Sequence, residues 1–172
     1  MPAAQTTRAV VGGVAHLFQG DLDLGRRAVE MLAHDSLGAE VVVEEFSYGA
    51  VAVAQRLQEL RPALLVLVGA KERGRPPGTV ERYDVVPLPR PLDELQAAVA
   101  DAITGYIDLD LVLEVAQALG ALPARTVAIE VEPASTAPSE RLSPSAEAGL
   151  EEVVALVRRE VAVDAPEALA GP

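Results

Sequence analysis

Short apolar runs alternate with amphipathic segments along the chain. Runs that are rich in β-branched residues and bounded by Gly or Pro predict strands, and the third run is apolar enough for a strand buried on both faces. Apolar residues spaced three or four apart predict helices. The predicted strands are 8–14, 40–46, 63–70 and 125–132, and the predicted helices are 24–34, 50–60, 109–119 and 146–162. This order predicts an α/β fold, a three-layer sandwich in which a mostly parallel, twisted sheet of about five strands has helices on both faces.

The middle of the chain has a weaker pattern. Residues 71–79 form a polar loop rich in Gly and Pro, which ends the preceding strand. The segment 81–88 (ERYDVVPL) is a candidate edge strand, because Pro87 cannot donate a backbone hydrogen bond inside a sheet. Residues 91–104 predict a further helix that begins near Pro91. With no internal repeat, we expect one domain over residues 1–172, with a frayed tail at 164–172.

Several polar residues sit where helices are predicted to begin or end. Asp23 is expected to cap one helix and Asp108 or its neighbour another, and Ser143 before Pro144 is expected to cap the last helix. His34 lies at the end of a predicted helix, where a histidine interacts favourably with the C-terminal end of the helix dipole. These assignments are structural.

Composition narrows the classes of function. The 172 residues are half apolar but contain only two Phe, three Tyr and no Trp. The absence of Cys excludes disulfides, thiolate metal sites and a cysteine nucleophile. A net charge of -12 argues against nucleic-acid binding and leaves a solvated surface or attraction to a basic partner as the two interpretations. No apolar run has the length of a membrane helix, and no secretory signal is visible, so we expect a cytoplasmic protein.

The loops after the predicted strands hold the candidate chemistry, because open α/β sheets bind ligands beyond the carboxyl ends of their strands. His16, Asp21 and Asp23 follow the first strand, and Glu44 ends the second. An imidazole with two or three carboxylates could bind a divalent cation. In the structural alternative, Asp23 caps a helix, Asp21 stabilises the loop and Glu44 faces solvent. The His16 side chain then donates a hydrogen bond to a backbone carbonyl. No phosphate-binding loop or nucleophile elbow is present.

Several segments carry a family resemblance through their order and spacing. Residues 13–25 read GVAHLFQGDLDLG, similar to GxGNxLxxDEGxG, and residues 44–49 read EEFSYG, similar to DGGTxG. The third strand ends in LVGA and is followed by PGT at 77–79, and a leucine-serine-proline turn opens the last helix. Together these segments resemble the nickel-iron hydrogenase maturation endopeptidases over almost the whole chain. The resemblance implies the fold of that family.

The same resemblance locates the metal-ligand positions of the family. Its first carboxylate falls on Leu22, its aspartate at the end of the third strand on Gly69, and its histidine, counted back from Gly120 and Pro123, on Gly105. In the family these ligands are thought to hold nickel of the substrate protein. Leucine and glycine offer no side-chain donor atom, so the resemblance implies no resident cofactor here. Nickel of a substrate would be bound only if His16, Asp21, Asp23 and Glu44 formed a shifted ligand set.

Three functions follow as hypotheses. The first is a catalytically degenerate endopeptidase homologue that binds a hydrogenase large subunit or an assembly factor and acts in a chaperone-like manner. The second is an active endopeptidase that cleaves a hydrogenase precursor with the shifted ligand set. The third is a small-molecule binding module that uses the cleft at the strand ends. The sequence does not predict the oligomeric state.

Overall fold

A five-stranded sheet organises the part of the chain that the computed structural model describes, residues 7–163. The strand order is β2-β1-β3-β5-β4; β4 is antiparallel to β5 and all other neighbours are parallel. The predicted mostly parallel sheet is therefore confirmed. As the position of Pro87 indicated, β4 is an edge strand, and it ends three residues before that proline. The strands are β1 (Ala9–Val14), β2 (Val41–Phe46), β3 (Leu64–Ala70), β4 (Val80–Asp84) and β5 (Arg125–Val131).

Within residues 7–163, four α-helices lie between strands and a fifth follows β5, and each corresponds to a predicted helix. They are α1 (Leu24–Leu32), α2 (Ala50–Leu60), α3 (Leu92–Ala102), α4 (Leu109–Ala118) and α5 (Pro144–Val163). The main difference from prediction is a 3-10 helix at Gly20–Asp23, which no apolar periodicity marks. Helix α1 also ends at Leu32, so His34 lies exposed beyond it. The tail predicted to fray, 164–172, is outside the described residues. Within the described range, no helix combines the length and the apolar character needed to cross a membrane.

Two apolar cores lie on opposite faces of the sheet, as a three-layer sandwich requires. Alternate residues of β3 point to opposite sides, since side chains of a strand alternate. Val66 and Val68 pack with α1 and α5, whereas Leu65 and Leu67 pack with α2, α3 and α4. Every residue of β3 is buried, so the prediction of a strand covered on both faces is confirmed.

Two glycines set the distance between α1 and the sheet. A Cβ atom added to Gly13 would lie 2.1 Å from the carbonyl oxygen of Gly25, and one added to Gly25 would lie 2.1 Å from that of Val14. Helix α1 therefore packs directly on the backbone of β1, which only glycine allows at this distance. This contact fixes the loop between them, residues 15–23, beside the ends of β1 and β3.

Candidate functional site

A cavity of about 140 Å³ opens at the carboxyl ends of β1 and β3. This is the edge at which an open α/β sheet is expected to bind a ligand. The wall is part apolar and part charged, with side chains from the β1–α1, β3–β4 and α3–α4 loops. The lining residues are Val14, His16, Leu22, Ala70, Lys71, Glu72, Tyr106 and Asp108.

A lysine ammonium group is the cation of this cavity. Lys71 donates a hydrogen bond to the Asp108 carboxylate, and its Nζ lies 3.3 Å from an oxygen of Asp110. Burial acts to lower the pKa of Lys71, but the hydrogen bond to Asp108 and the charges of both carboxylates outweigh it, so this pKa lies above its ordinary value. Lys71 is therefore cationic at neutral pH and is not suited to act as a general base.

Asp108 has two roles in the structure. Its Oδ1 accepts the main-chain N–H of Leu111 at 2.8 Å, which confirms the predicted cap of α4. Its Oδ2 accepts from Lys71 and, at 3.1 Å, from the Tyr106 hydroxyl. Helix α4 thus holds the carboxylate that positions Lys71. The sequence indicated the cap but not the pairing, because Lys71 and Asp108 are 37 residues apart.

His16 and Tyr106 form the outer wall of the cavity. Their ring centroids are 5.3 Å apart, with the planes tilted by 47°. Among residues 7–163 the His16 side chain does not make the expected hydrogen bond to a backbone carbonyl; its main-chain N–H donates to the Leu22 carbonyl at 3.0 Å instead. Burial and the neighbouring Asp108 carboxylate raise the pKa of Tyr106 above its usual value. Tyr106 therefore stays neutral and keeps its proton on the bond to Asp108.

The family's three ligand positions have different surroundings here. Leu22 is half-buried, packs on the core formed with α1 and α5, and lines the cavity. Gly69 is the penultimate residue of β3 and is closely packed: an added Cβ would lie 3.1 Å from the Val14 oxygen and 3.2 Å from Cγ of Leu109. Gly105 is exposed, has a φ of 82° and has no atom within 4 Å of an added Cβ. Its neighbour Tyr106 reaches the cavity instead.

The structure does not gather the substitute set His16, Asp21, Asp23 and Glu44. Only His16 lines the cavity. Glu44 is bound on the α2 side, where it accepts from Arg56 at 3.1 Å and from the Tyr48 hydroxyl at 3.2 Å. Among residues 7–163, no group of three or more His, Cys, Asp or Glu side chains could hold a metal ion. The residues present therefore do not fit a metal site.

Asp21 is a buried structural carboxylate. Only 1% of it is exposed, and its two oxygens accept main-chain N–H groups of Ala134 at 2.8 Å and Ser143 at 2.7 Å, together with the Ser143 hydroxyl at 2.8 Å. The same hydroxyl accepts from the N–H of Ala146, which confirms Ser143 as the cap of α5. Asp21 thus fastens the β5–α5 loop to the 3-10 helix, in agreement with the structural interpretation.

Asp23 does not cap α1 with its side chain, contrary to the prediction. It occupies the residue before the helix, but its carboxylate forms a two-pronged ion pair with Arg26 in the first turn. Charge-assisted pairs of this kind compete well with a neutral N–H donor. The 3-10 helix that precedes α1 also turns the backbone of Asp23 away from the extended geometry of a capping residue.

A network of charged residues secures the β3–β4 loop next to the cavity. Glu130 is only 1% exposed and pairs with Arg73 at 3.0 Å and Arg75 at 2.7 Å. Glu132 accepts the main-chain N–H groups of Arg73 and Gly74 at 2.8 and 3.1 Å. The loop that begins with Lys71 is therefore fixed at several points. The sequence predicted only an ordinary polar loop, because the carboxylates that bind it lie on β5 and directly after it, far away along the chain.

Comparison with known proteins gives structural matches only. No protein-family model and no curated protein matches the sequence. The endopeptidase HybD from E. coli, described as hydrogenase-maturating, matches with a TM-score of 0.62 and 25% identity over 89% of this chain and 93% of its own. A hydrogenase 2 maturation peptidase from a Thaumarchaeota archaeon matches with a TM-score of 0.63 and 24% identity over 90% of this chain and 97% of its own. The endopeptidase HycI from E. coli matches with a TM-score of 0.64 and 18% identity over 88% of this chain and 90% of its own. The chain thus has the fold of the hydrogenase maturation endopeptidases, which confirms the resemblance seen in its sequence.

Proposed function

We propose that this protein is a catalytically degenerate homologue of the hydrogenase maturation endopeptidases that acts as a binding factor in nickel-iron hydrogenase assembly. Its partner is a hydrogenase large subunit or a factor that handles one. The observation that carries the proposal is the cavity at the strand ends. The cavity lies at the carboxyl ends of the strands, where this type of fold is expected to bind a ligand. A lysine–aspartate pair and a leucine side chain line it.

The loss of metal ligation is supported by the surroundings of the ligand positions and not by their identity alone. The Leu22 side chain packs on the apolar core, so it contributes to the packing of the fold. At Gly69 an added Cβ would already lie 3.2 Å from Cγ of Leu109, so any side chain there crowds its neighbours. Restoring one carboxylate would therefore require other side chains to move, which is costly in a close-packed protein.

The charge of the cavity supports the same proposal. A divalent ion needs ligands with free lone pairs, but Asp108 already accepts hydrogen bonds from Lys71, Tyr106 and the N–H of Leu111. The Lys71 ammonium would also repel a metal ion at this position. The cavity therefore favours the recognition of a polypeptide over metal-dependent hydrolysis.

Affinity capture from the source cell tests the proposed partner. The tagged full-length protein is expected to retain a hydrogenase large subunit or an assembly factor that mass spectrometry identifies. Tyr106→Ala, at the mouth of the cavity, should lower the recovery, whereas Glu151→Ala, on the exposed side of α5, should not. Recovery of no hydrogenase-related protein by the wild type would contradict the proposal.

A further inference from the structure

The exposed aromatic residues are concentrated at one edge of the molecule. The chain has only five Phe and Tyr residues. Phe46 is buried and Tyr83 is half-buried, but Phe18, Tyr48 and Tyr106 are 56%, 48% and 53% exposed. These three follow β1, follow β2 and precede α4, so they lie around the carboxyl ends of the strands. Exposed aromatic side chains in such a group mark an interaction surface.

The backbone of Phe18 has an unfavourable conformation that contacts with the surrounding residues must stabilise. Its φ is 59°, in the left-handed region that residues other than glycine seldom adopt. The main-chain carbonyl of Phe18 accepts the N–H of Ser139 at 2.9 Å, and Gly20 returns an N–H to the Ser139 carbonyl at 3.1 Å. The β5–α5 loop thus holds Phe18 with its ring exposed. Such strained residues persist where surrounding contacts over-determine them, and they cluster at functional sites.

The uncompensated charge near these rings is negative. Glu72 lines the cavity and forms no ion pair with any residue from 7 to 163. The carboxylate of Glu45, at the end of β2, accepts from the Ser47 hydroxyl at 2.6 Å. The one cation of the cavity, Lys71, is paired with two aspartates. The whole chain carries a net charge of -12, so the long-range field has the same sign.

We propose that the aromatic edge, defined as Phe18, Tyr48 and Tyr106 with Glu45 and Glu72, binds a polypeptide segment that presents an Arg or Lys side chain between apolar residues. The inference rests on the proposed function and specifies the chemistry of the partner. Aromatic faces and carboxylates together recognise a cationic side chain, and the rings also receive its apolar neighbours. The chain already contains one contact of this kind, since the guanidinium carbon of Arg26 lies 5.8 Å from the centroid of the Phe18 ring.

The surface favours a polypeptide over a small cation because its parts are spread over three loops. The cavity itself holds about 140 Å³, enough for one side chain, while Phe18 and Tyr48 lie outside its lining. A segment that inserts one basic side chain would place its neighbours on these rings. An acidic segment would meet Glu45 and Glu72, whereas the cation of the cavity, Lys71, is already paired with two aspartates.

Selection from a random dodecapeptide phage library tests the proposed preference. Peptides retained by the full-length wild type are expected to be enriched in Arg and Lys next to apolar residues. Glu72→Lys should abolish this enrichment. Glu151→Lys makes the same change of charge on the exposed face of α5 and should leave it intact. No enrichment of Arg and Lys, enrichment of acidic residues, or equal selection by Glu72→Lys would overturn the proposal.

Fluorescence anisotropy with one selected, labelled peptide then tests the role of the rings. Tyr106→Ala should weaken binding about two- to fivefold, the usual range for an exposed cation–π contact, and Tyr106→Phe should restore it because the ring is kept. Equal binding by Tyr106→Ala would contradict the role of this ring. The library contains no hydrogenase sequence, so a basic preference can be found even if the capture experiment fails, and the two proposals are tested separately.

Discussion

Two polar regions lie side by side at the strand ends, and they differ in what surrounds their carboxylates. The first is the Asp21 hub, made of Asp21 and the main-chain and hydroxyl donors of residues 134, 135 and 143. The second is the cavity with Lys71 and Asp108. The Asp21 hub is buried and bound mainly by backbone groups. The cavity is open and is built from side-chain contacts between distant loops.

This difference explains which residues of the family pattern remain. Asp21 matches the pattern and has its oxygens occupied, so its role is to hold the β5–α5 loop and the start of α5. Leu22 is the next residue, yet it faces the cavity and departs from the pattern. Loss of Asp21 would leave buried donors without partners, whereas a change at the cavity wall leaves the core intact. The buried Asp21 hub thus supports the fold without lining the cavity.

The largest expected effect is at the Asp21 hub. Asp21→Ala leaves the main-chain donors of residues 134, 135 and 143 without this acceptor and should lower the free energy of unfolding by about 3–5 kcal/mol. Urea denaturation followed by circular dichroism measures this change. Glu151→Ala, a control in an exposed helical position, should alter it by less than about 0.5 kcal/mol. A loss below about 1 kcal/mol for Asp21→Ala would show that the carboxylate is not a structural support.

The second effect concerns the closed position in β3. Gly69→Asp should destabilise the protein by about 1–3 kcal/mol, because its Cβ crowds the Val14 carbonyl and Leu109. The variant should gain no affinity for Ni²⁺ in isothermal titration calorimetry.

A double-mutant cycle shows whether Leu109 is the cause. The cost of Gly69→Asp should be smaller when it is introduced into Leu109→Ala, since the side chain that crowds it has been removed. If Gly69→Asp lowered the free energy of unfolding equally in both backgrounds, contacts other than that with Leu109 would be the cause. Tight nickel binding by the single variant would mean that the cavity still holds a nearly complete ligand set.

A smaller effect is expected for the cation of the cavity. Lys71→Met keeps the length of the side chain but removes a charged hydrogen bond from the partly buried Asp108, and it should cost about 1–2 kcal/mol of unfolding free energy. The matched control is Arg90→Met, which breaks the more exposed ion pair with Glu114 and should cost less than about 0.5 kcal/mol. Equal losses would show that Lys71 has no special position.

The smallest expected effect is a change in the pKa of Tyr106 when Lys71 is replaced. Burial and the Asp108 carboxylate raise the pKa of Tyr106, and the Lys71 charge opposes this rise. A raised pKa means that Tyr106 contributes stability below about pH 10, the unfolded value, and loses it as the pH rises through the folded pKa. Ultraviolet titration of tyrosinate, taken as the difference from Tyr106→Phe, should show a further rise in Lys71→Met. An unchanged midpoint would contradict the contact between the two groups.

The sequence predicted the fold well because its signals are local. The apolar run at 63–70 and the helix periodicity at 50–60 and 109–119 correspond to β3, α2 and α4 within one residue at each end. Asp108 and Ser143 were predicted as caps because a cap depends on the few residues that follow it. The 3-10 helix at 20–23 was missed, since contacts with the β5–α5 loop hold it and not periodicity.

The candidate site was predicted only in outline. Its expected place followed from the strand ends, and the family pattern aligned Leu22 and Gly69 with the expected ligand positions. Lys71 and Tyr106 were missed because their roles depend on Asp108, and Arg73 was missed because its partner Glu130 is on β5. Such pairings arise when distant loops meet in the folded chain. A single sequence carries no periodicity or spacing that reports them.

The central claim is that this fold has kept its binding edge and lost metal-dependent hydrolysis. Intact-mass spectrometry of a nickel-loaded hydrogenase large-subunit precursor, incubated with the full-length protein, tests it most directly. A maturation endopeptidase that processes the same precursor provides the positive control. We predict that the precursor binds this protein but keeps its C-terminal extension. Removal of the extension by the wild type, and not by His16→Ala, would contradict the account and establish an active endopeptidase.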